Sequence, residues 1–253
     1  MKKSIYLWLC ALVLTMVGLS SCIDDDEIDL GKSDENFTEE CHTDSINGWA
    51  ITRDESERVT YVICFLAGQD PVEKLYNNPS SFDEIKYLFP LSEGNEIRLE
   101  SEGKLQPFEG LPEFGQYYEQ YSQYYKGIYV LNAGARFFYF TTPEGKRLSY
   151  GWAAPFNDIK DLDTTPLLSE QNARQVLADY LKVDRDDSWD CNLCIKEFSS
   201  RENGKIVRKQ RLVYFVMGPY APGDPNVYYY RTPQYMALID AHTGELISMQ
   251  TSG

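Results

Sequence analysis

The sequence predicts an α+β protein: antiparallel sheets, each covered by a helix, in two small units. Three observations point there. Apolar and polar residues alternate through many short stretches. Turn signals rich in Gly, Pro, Asn and Asp separate those stretches. Between them lie a few segments with helix caps or apolar residues at helical spacing. The 19 Tyr, 12 Phe and 4 Trp among 253 residues favour sheets and contact surfaces over a long helical bundle.

The chain opens with Met1-Lys2-Lys3, an apolar run from Ile5 to Gly18, and Leu19-Ser20-Ser21-Cys22. A basic start, a short apolar stretch and small residues before a cleavage point make a secretory signal over residues 1–21. The run is too short to cross about 30 Å of hydrocarbon with margin. Leu-Ser-Ser-Cys resembles a bacterial lipobox, which implies acylation of Cys22 and a chain held at a membrane by lipid, without a spanning helix. From Asp24 to Glu40 stand nine acids and one base, Lys32. Residues 22–47 therefore read as a solvated, self-repelling acidic tether. Acids directly behind a lipidated cysteine also resemble the surface-export signal of Bacteroidetes lipoproteins. The expected location is the outer membrane, on its periplasmic face or at the cell surface.

The first folded unit is expected over residues 48–160. Trp49–Thr52 and Val59–Leu66, around a charged turn, read as two strands or as a strand and a short helix. Asp70 before Pro71 predicts a helix through Tyr76, and Ser81–Leu88, between Pro79 and Pro90, predicts another. Glu96–Leu99, Gly127–Val130 and Ala135–Phe140 read as strands, with a hairpin turn at Pro143-Glu144-Gly145-Lys146. The tyrosines at 117, 118, 121, 124 and 125 cover a sheet, and Tyr124 and Tyr129 are candidate aromatic contacts. The second unit is expected over 161–253. Ser169 caps a helix with Ala173, Val176, Leu177, Tyr180 and Leu181 as its apolar stripe. Strands follow at Cys191–Phe198 and Ile206–Met217, around the turn Glu202-Asn203-Gly204-Lys205. The last strand, Tyr235–Asp240, turns at His242-Thr243-Gly244, where glycine supplies a positive φ, and resumes at Glu245–Ser248.

Charge and motif content exclude several functions. A formal net charge of −15 excludes nucleic-acid phosphates as the main partner. His42 and His242 stand far apart and no H-E-x-x-H occurs, so no zincin site is expected, and neither a metal nor a cofactor is called for. Paired carboxylates such as Asp186-Asp187 lie in polar settings, and no Ser/His/Asp or Cys/His arrangement has a diagnostic context, so no enzyme is expected and no catalytic residue is assigned. In an exported chain, Cys41, Cys64, Cys191 and Cys194 invite disulfides in any of three pairings. Cys191 and Cys194 have C-x-x-C spacing, yet their flanks read as a strand. Residues three apart in a strand are separated by about 10 Å, beyond bridging reach. Either an irregularity joins them or each seeks another partner.

Several strings, in order, resemble the propeptide of thermolysin-like and fungalysin-like metallopeptidases. Gln123-Tyr124-Tyr125-Lys126-Gly127-Ile128-Tyr129-Val130 is similar to that family's "QQYYKGIPV" strand. Residues 162–173 resemble its "TTPxLSxxEA" junction into a PepSY domain. Arg211–Val216 and Ala237–Ile247 resemble the PepSY "rLaYxV" and "VDAxTGEVI" strands, with His242 at the variable turn position. Tyr129 stands where the family has Pro, Asn132-Ala133-Gly134-Ala135 replaces a "GGE"-like string, and Cys191 and Cys194 lie outside the pattern. The resemblance implies inhibition of, or folding assistance to, a protease attached in cis. No peptidase follows Ile247 here, so the expected partner is an exported peptidase in trans. In the family, the segment after the last PepSY strand enters the protease cleft. That implies a partner-binding role for Ser248, Met249, Gln250, Thr251, Ser252 and Gly253, expected as an unstructured end. The alternative expectation is a surface lipoprotein that holds a glycan or another envelope component on its aromatic sheet.

Overall fold

The computed structural model describes residues 41–46, 49–63, 78–105, 116–142, 145–220 and 234–252. Its strands are β1 (His42–Ile46), β2 (Trp49–Arg53), β3 (Val59–Ile63), β4 (Asn95–Leu105), β5 (Gln116–Tyr125), β6 (Ile128–Thr142), β7 (Gly145–Ala154), β8 (Asp190–Glu202), β9 (Lys205–Tyr220), β10 (Gln234–Asp240) and β11 (Leu246–Ser252). All eleven belong to one sheet. Helix α1 (Glu170–Leu181) lies between β7 and β8. It is the one α-helix among the described residues.

This corrects the expected α+β class with two helix-covered sheets: the protein is mostly β. The helix expected over Ser81–Leu88 forms two single 3-10 turns, Phe82–Glu84 and Lys86–Leu88. Eight residues between two prolines gain too few hydrogen bonds to offset helix nucleation. Their buried residues, Phe82, Ile85 and Leu88, recur every third position, which suits three residues per turn. The helix expected at Asp70–Tyr76 lies outside the described residues.

Strand β6 makes two layers of pairing into one sheet. On one side it pairs antiparallel with β5, from Tyr125↔Ile128 to Gln116↔Phe140, and on the other, along residues 134–142, antiparallel with β7. Near its start, Val130 and Leu131 pair in parallel with Ile195 and Lys196 of β8. The change of neighbour comes at Asn132, whose φ is 59°, a left-handed conformation that asparagine tolerates. At Gly134 a Cβ would stand 2.6 Å from the Tyr121 carbonyl oxygen, so the close strand approach needs glycine.

Two large hydrophobic clusters flank that junction. One joins Ile51, Val62, Phe137, Tyr139 and Leu148 of the N-terminal strands to Phe82, Ile85, Leu88, Phe89 and Phe156. The 3-10 turns, not a helix, cover this face. In the other, Ala173, Leu177 and Ala178 of α1 pack on Ile195, Leu212, Val216 and Ile239. Here the expected helix is present: the Asn172 amide donates to Ser169 Oγ at 3.2 Å, and Lys182 closes the C-terminus at φ 57°. The unit boundary expected at 160/161 falls within residues 155–169, which carry no helix or strand.

Candidate functional site

Strand β11 ends the sheet. It pairs with β10 from Gln234↔Ser252 to Ile239↔Leu246, and among the described residues no strand pairs with its other side. The turn before it is tightly tied. Asp240 Oδ1 accepts from the amides of His242 at 2.9 Å and Thr243 at 2.8 Å, and Gly244 takes φ 76°. Burial pushes the Asp240 carboxyl up, but those amides and Arg211 more than offset it and hold the group below its ordinary value. The Ala241 amide donates to the Leu212 carbonyl at 2.9 Å, and the Ala241 carbonyl accepts from Leu167 and Leu168. Met249, 5% exposed, anchors β11 in the cluster under α1.

The segment Ser248–Ser252 is therefore not an unstructured end, as expected, but the outermost strand of a sheet. Its alternating pattern, with Met249 inward, makes pairing with β10 more favourable than a free tail. Gly253 lies outside the described residues.

What marks this edge is its lack of charge. From Leu246 to Ser252 there is no Asp, Glu, Lys, Arg or His. Strand β4, which pairs only with β5, carries Glu96, Arg98, Glu100, Glu102 and Lys104, and β1 carries His42 and Asp44. Charges on an edge strand deter pairing with another chain. β4 has them and β11 does not.

The other sequence-predicted residues are dispersed. Tyr124 and Tyr129 are cross-strand partners with ring centroids 5.7 Å apart, edge to face. Arg98 lies 4.2 Å over the Tyr124 ring, and the Tyr124 hydroxyl donates to Glu100 at 2.8 Å. That hydrogen bond, with some burial, raises the hydroxyl above its ordinary pKa. Cys22 and Cys64 lie outside the described residues, and Cys41 is exposed at the start of β1. Cys191 and Cys194 occupy opposite faces of β8, one near α1 and the other against Val213 and Leu238, with neither in a disulfide. Burial pushes Cys191 up to about 11 and Cys194 up to about 12, so both stay protonated. Among the described residues no group of His, Cys, Asp and Glu could hold a metal, and no helix is long and apolar enough to cross a membrane.

Two polar clusters had no signal in the sequence. Arg58 donates to Asp54 Oδ2, Asn157 Oδ1 and Glu197 Oε1 at 2.7, 2.6 and 2.7 Å, while Arg208 approaches both carboxylates. Glu119, 4% exposed, accepts from Tyr139 at 2.6 Å and Tyr121 at 2.9 Å and pairs with Lys146. Their members are far apart in the chain and only the fold assembles them. In both, the carboxylates are paired with arginine or lysine, and those pairs hold the structure.

No protein-family model matches the chain. No curated protein matches it. Among solved structures it is similar to the Bacillus megaterium YpeB C-terminal domain, at 12% identity and a TM-score of 0.33, over 90% of this chain and 88% of that one. The propeptide resemblance thus rests on the sequence strings alone.

Proposed function

We propose that this protein is an exported, lipid-anchored, non-catalytic binding protein that takes an extended segment of an exported peptidase along the edge of β11, and so inhibits that peptidase or assists its folding in trans. The observation that carries the reading is an edge strand without charge in a chain of net charge −15. Strand addition supplies affinity through main-chain hydrogen bonds, and side chains along the edge set specificity. The propeptide-like strings supply the partner class, and the lipobox-like Leu19-Ser20-Ser21-Cys22 supplies the anchor at the outer membrane.

The test mixes the full-length protein, held in detergent micelles, with exported metallopeptidases of the same cell and follows both complex formation and peptidase activity. A complex that Ser248→Lys with Thr251→Lys abolishes supports the reading. Absence of any complex together with unchanged activity rejects it.

A further inference from the structure

The N-terminal strands have a second face, opposite the cluster that holds Phe137 and Tyr139. The pairing register sets two rows across it. One runs Gly103, Tyr118, Phe138, Tyr150, Ile63, and the other Ser101, Gln120, Arg136, Trp152, Tyr61. No described element packs on this face, and Trp152 remains 44% exposed.

The rings fill the surface. Phe138 stacks on Tyr150 with centroids 4.7 Å apart and planes 10° apart, and lies 4.9 Å from Trp152. Phe138 is 7% exposed because its neighbours cover it. The face therefore has no recess for a partner's side chain to enter, and protein interfaces draw most of their energy from anchors seated in pockets. A ligand with a flat apolar face of its own, laid against the indole, suits a filled surface better.

Arg136 adds the charge. It is the one charged side chain in the two rows. Arginines elsewhere, such as Arg58, Arg98, Arg174 and Arg211, each hold a carboxylate. Arg136 instead donates to the neutral Gln120 amide oxygen and lies 5.5 Å from the Tyr118 ring centroid. A half-buried guanidinium has five donors in a fork that matches a carboxylate.

We propose that this face binds a carboxylate-bearing saccharide, its pyranose ring stacked on Trp152 and its carboxylate paired with Arg136. Gln120, Ser101, Tyr61 and Tyr150 lie beside the two anchors in the strand register and supply partners for sugar hydroxyls. The site is separate from β11, so either proposal can fail without the other.

The test titrates the full-length protein in micelles with tri-galacturonate and with its methyl ester, by calorimetry and tryptophan fluorescence. The acid is expected to bind about tenfold or more tightly than the ester, the difference a charge-assisted hydrogen bond makes. Arg136→Gln is expected to bring the acid down to the ester's affinity, and Trp152→Ala to remove binding of both, with Trp152→Tyr retaining part of it. Near-UV circular dichroism verifies folding, and Arg136→Gln carries the test if Trp152→Ala does not fold. Equal binding of acid and ester, a preference for the acid that persists in Arg136→Gln, a Glu-rich peptide competing at equal concentration, or no binding at millimolar sugar would each overturn the proposal.

Discussion

Arg58 Nη1 stands 2.7 Å from Glu197 Oε1, across 139 positions of chain, and ties the turn after β2 to β8. Asp54, 2% exposed, shares the same guanidinium, and its Oδ1 also accepts from the Ser56 and Arg58 amides. Breaking a buried pair by removing one partner leaves the other charge uncompensated. Arg58→Met should therefore destabilise the protein by about 3 kcal/mol, measured by urea unfolding at pH 7.

The same cluster sets an acid limit. Burial pushes the Asp54 carboxyl up, but the Arg58 hydrogen bonds and charge outweigh it and hold the group below its ordinary value. The unfolded chain then binds a proton more readily than the folded one. The stabilisation is present in full above the unfolded value, about 3.9, and is lost as pH falls through the folded value. Unfolding midpoints should drop between about pH 5 and pH 2. Asp54→Asn should start lower and show a shallower drop over that window; an unchanged slope would rule out this assignment.

The thiols should be nearly inert in the folded state. With Cys191 near 11 and Cys194 near 12, the thiolate fraction at pH 8 is far below that of an ordinary cysteine near 8.5. Iodoacetamide at pH 8 should modify both positions at least about tenfold more slowly than in urea, read by peptide mass spectrometry. Rapid modification of either would contradict its burial.

How much could be read from the chain is clearest at α1 and β6. Ser169 and the stripe Ala173, Val176, Leu177 and Leu181 point to the helix because cap and periodicity are local signals. The Glu202–Lys205 hairpin is equally local, with Asn203 at φ 51° and Gly204 at φ 77°. Strand β6 reads as two strands because Asn132-Ala133-Gly134 looks like a break, whereas Asn132 bends one 15-residue strand between two sets of partners. The single sheet follows from that bend, and nothing local announces it. The site divides in the same way. Ser248–Gly253 were singled out by resemblance and expected as a tail, while β11 as an edge requires the register with β10. Trp152 and Arg136 become neighbours only through the β6–β7 pairing.

The cluster under α1 gives a further stability test. Leu177 is fully buried, and a Cβ on Gly218 would lie 2.6 Å from its Cδ2. Leu177→Ala should cost about 3 kcal/mol through lost transfer energy and a cavity. Gly218→Ala should also destabilise alone, through overpacking, yet be partly relieved in the double variant, where the Leu177 branch is gone. Additive losses in denaturant unfolding would show that the two do not share one contact.

Glu119 is, with Asp54, a buried carboxylate of the N-terminal half, and its partners determine what its removal does. Tyr139 and Tyr121 donate to the same Oε2, and Lys146 pairs with Oε1. Lys146 also lies 4.9 and 4.8 Å from the Tyr117 and Tyr139 ring centroids, so the ammonium is held by two rings and a carboxylate. Glu119→Gln keeps the shape and an acceptor for one hydroxyl but removes the charge opposite Lys146. Glu119→Leu leaves both hydroxyls and the ammonium without their shared acceptor. Leucine should thus cost more than glutamine, by about 1–3 kcal/mol, because unsatisfied buried donors carry the full desolvation penalty. Burial, then Glu119, keeps the Tyr121 hydroxyl protonated far above its ordinary range, and the Glu102 hydrogen bond pushes Tyr117 up to about 12. Absorbance at 295 nm should show these two tyrosines ionising after the exposed ones in the native protein. In Glu119→Gln, Tyr121 should move toward its ordinary value while Tyr117, held mainly by Glu102, should shift little.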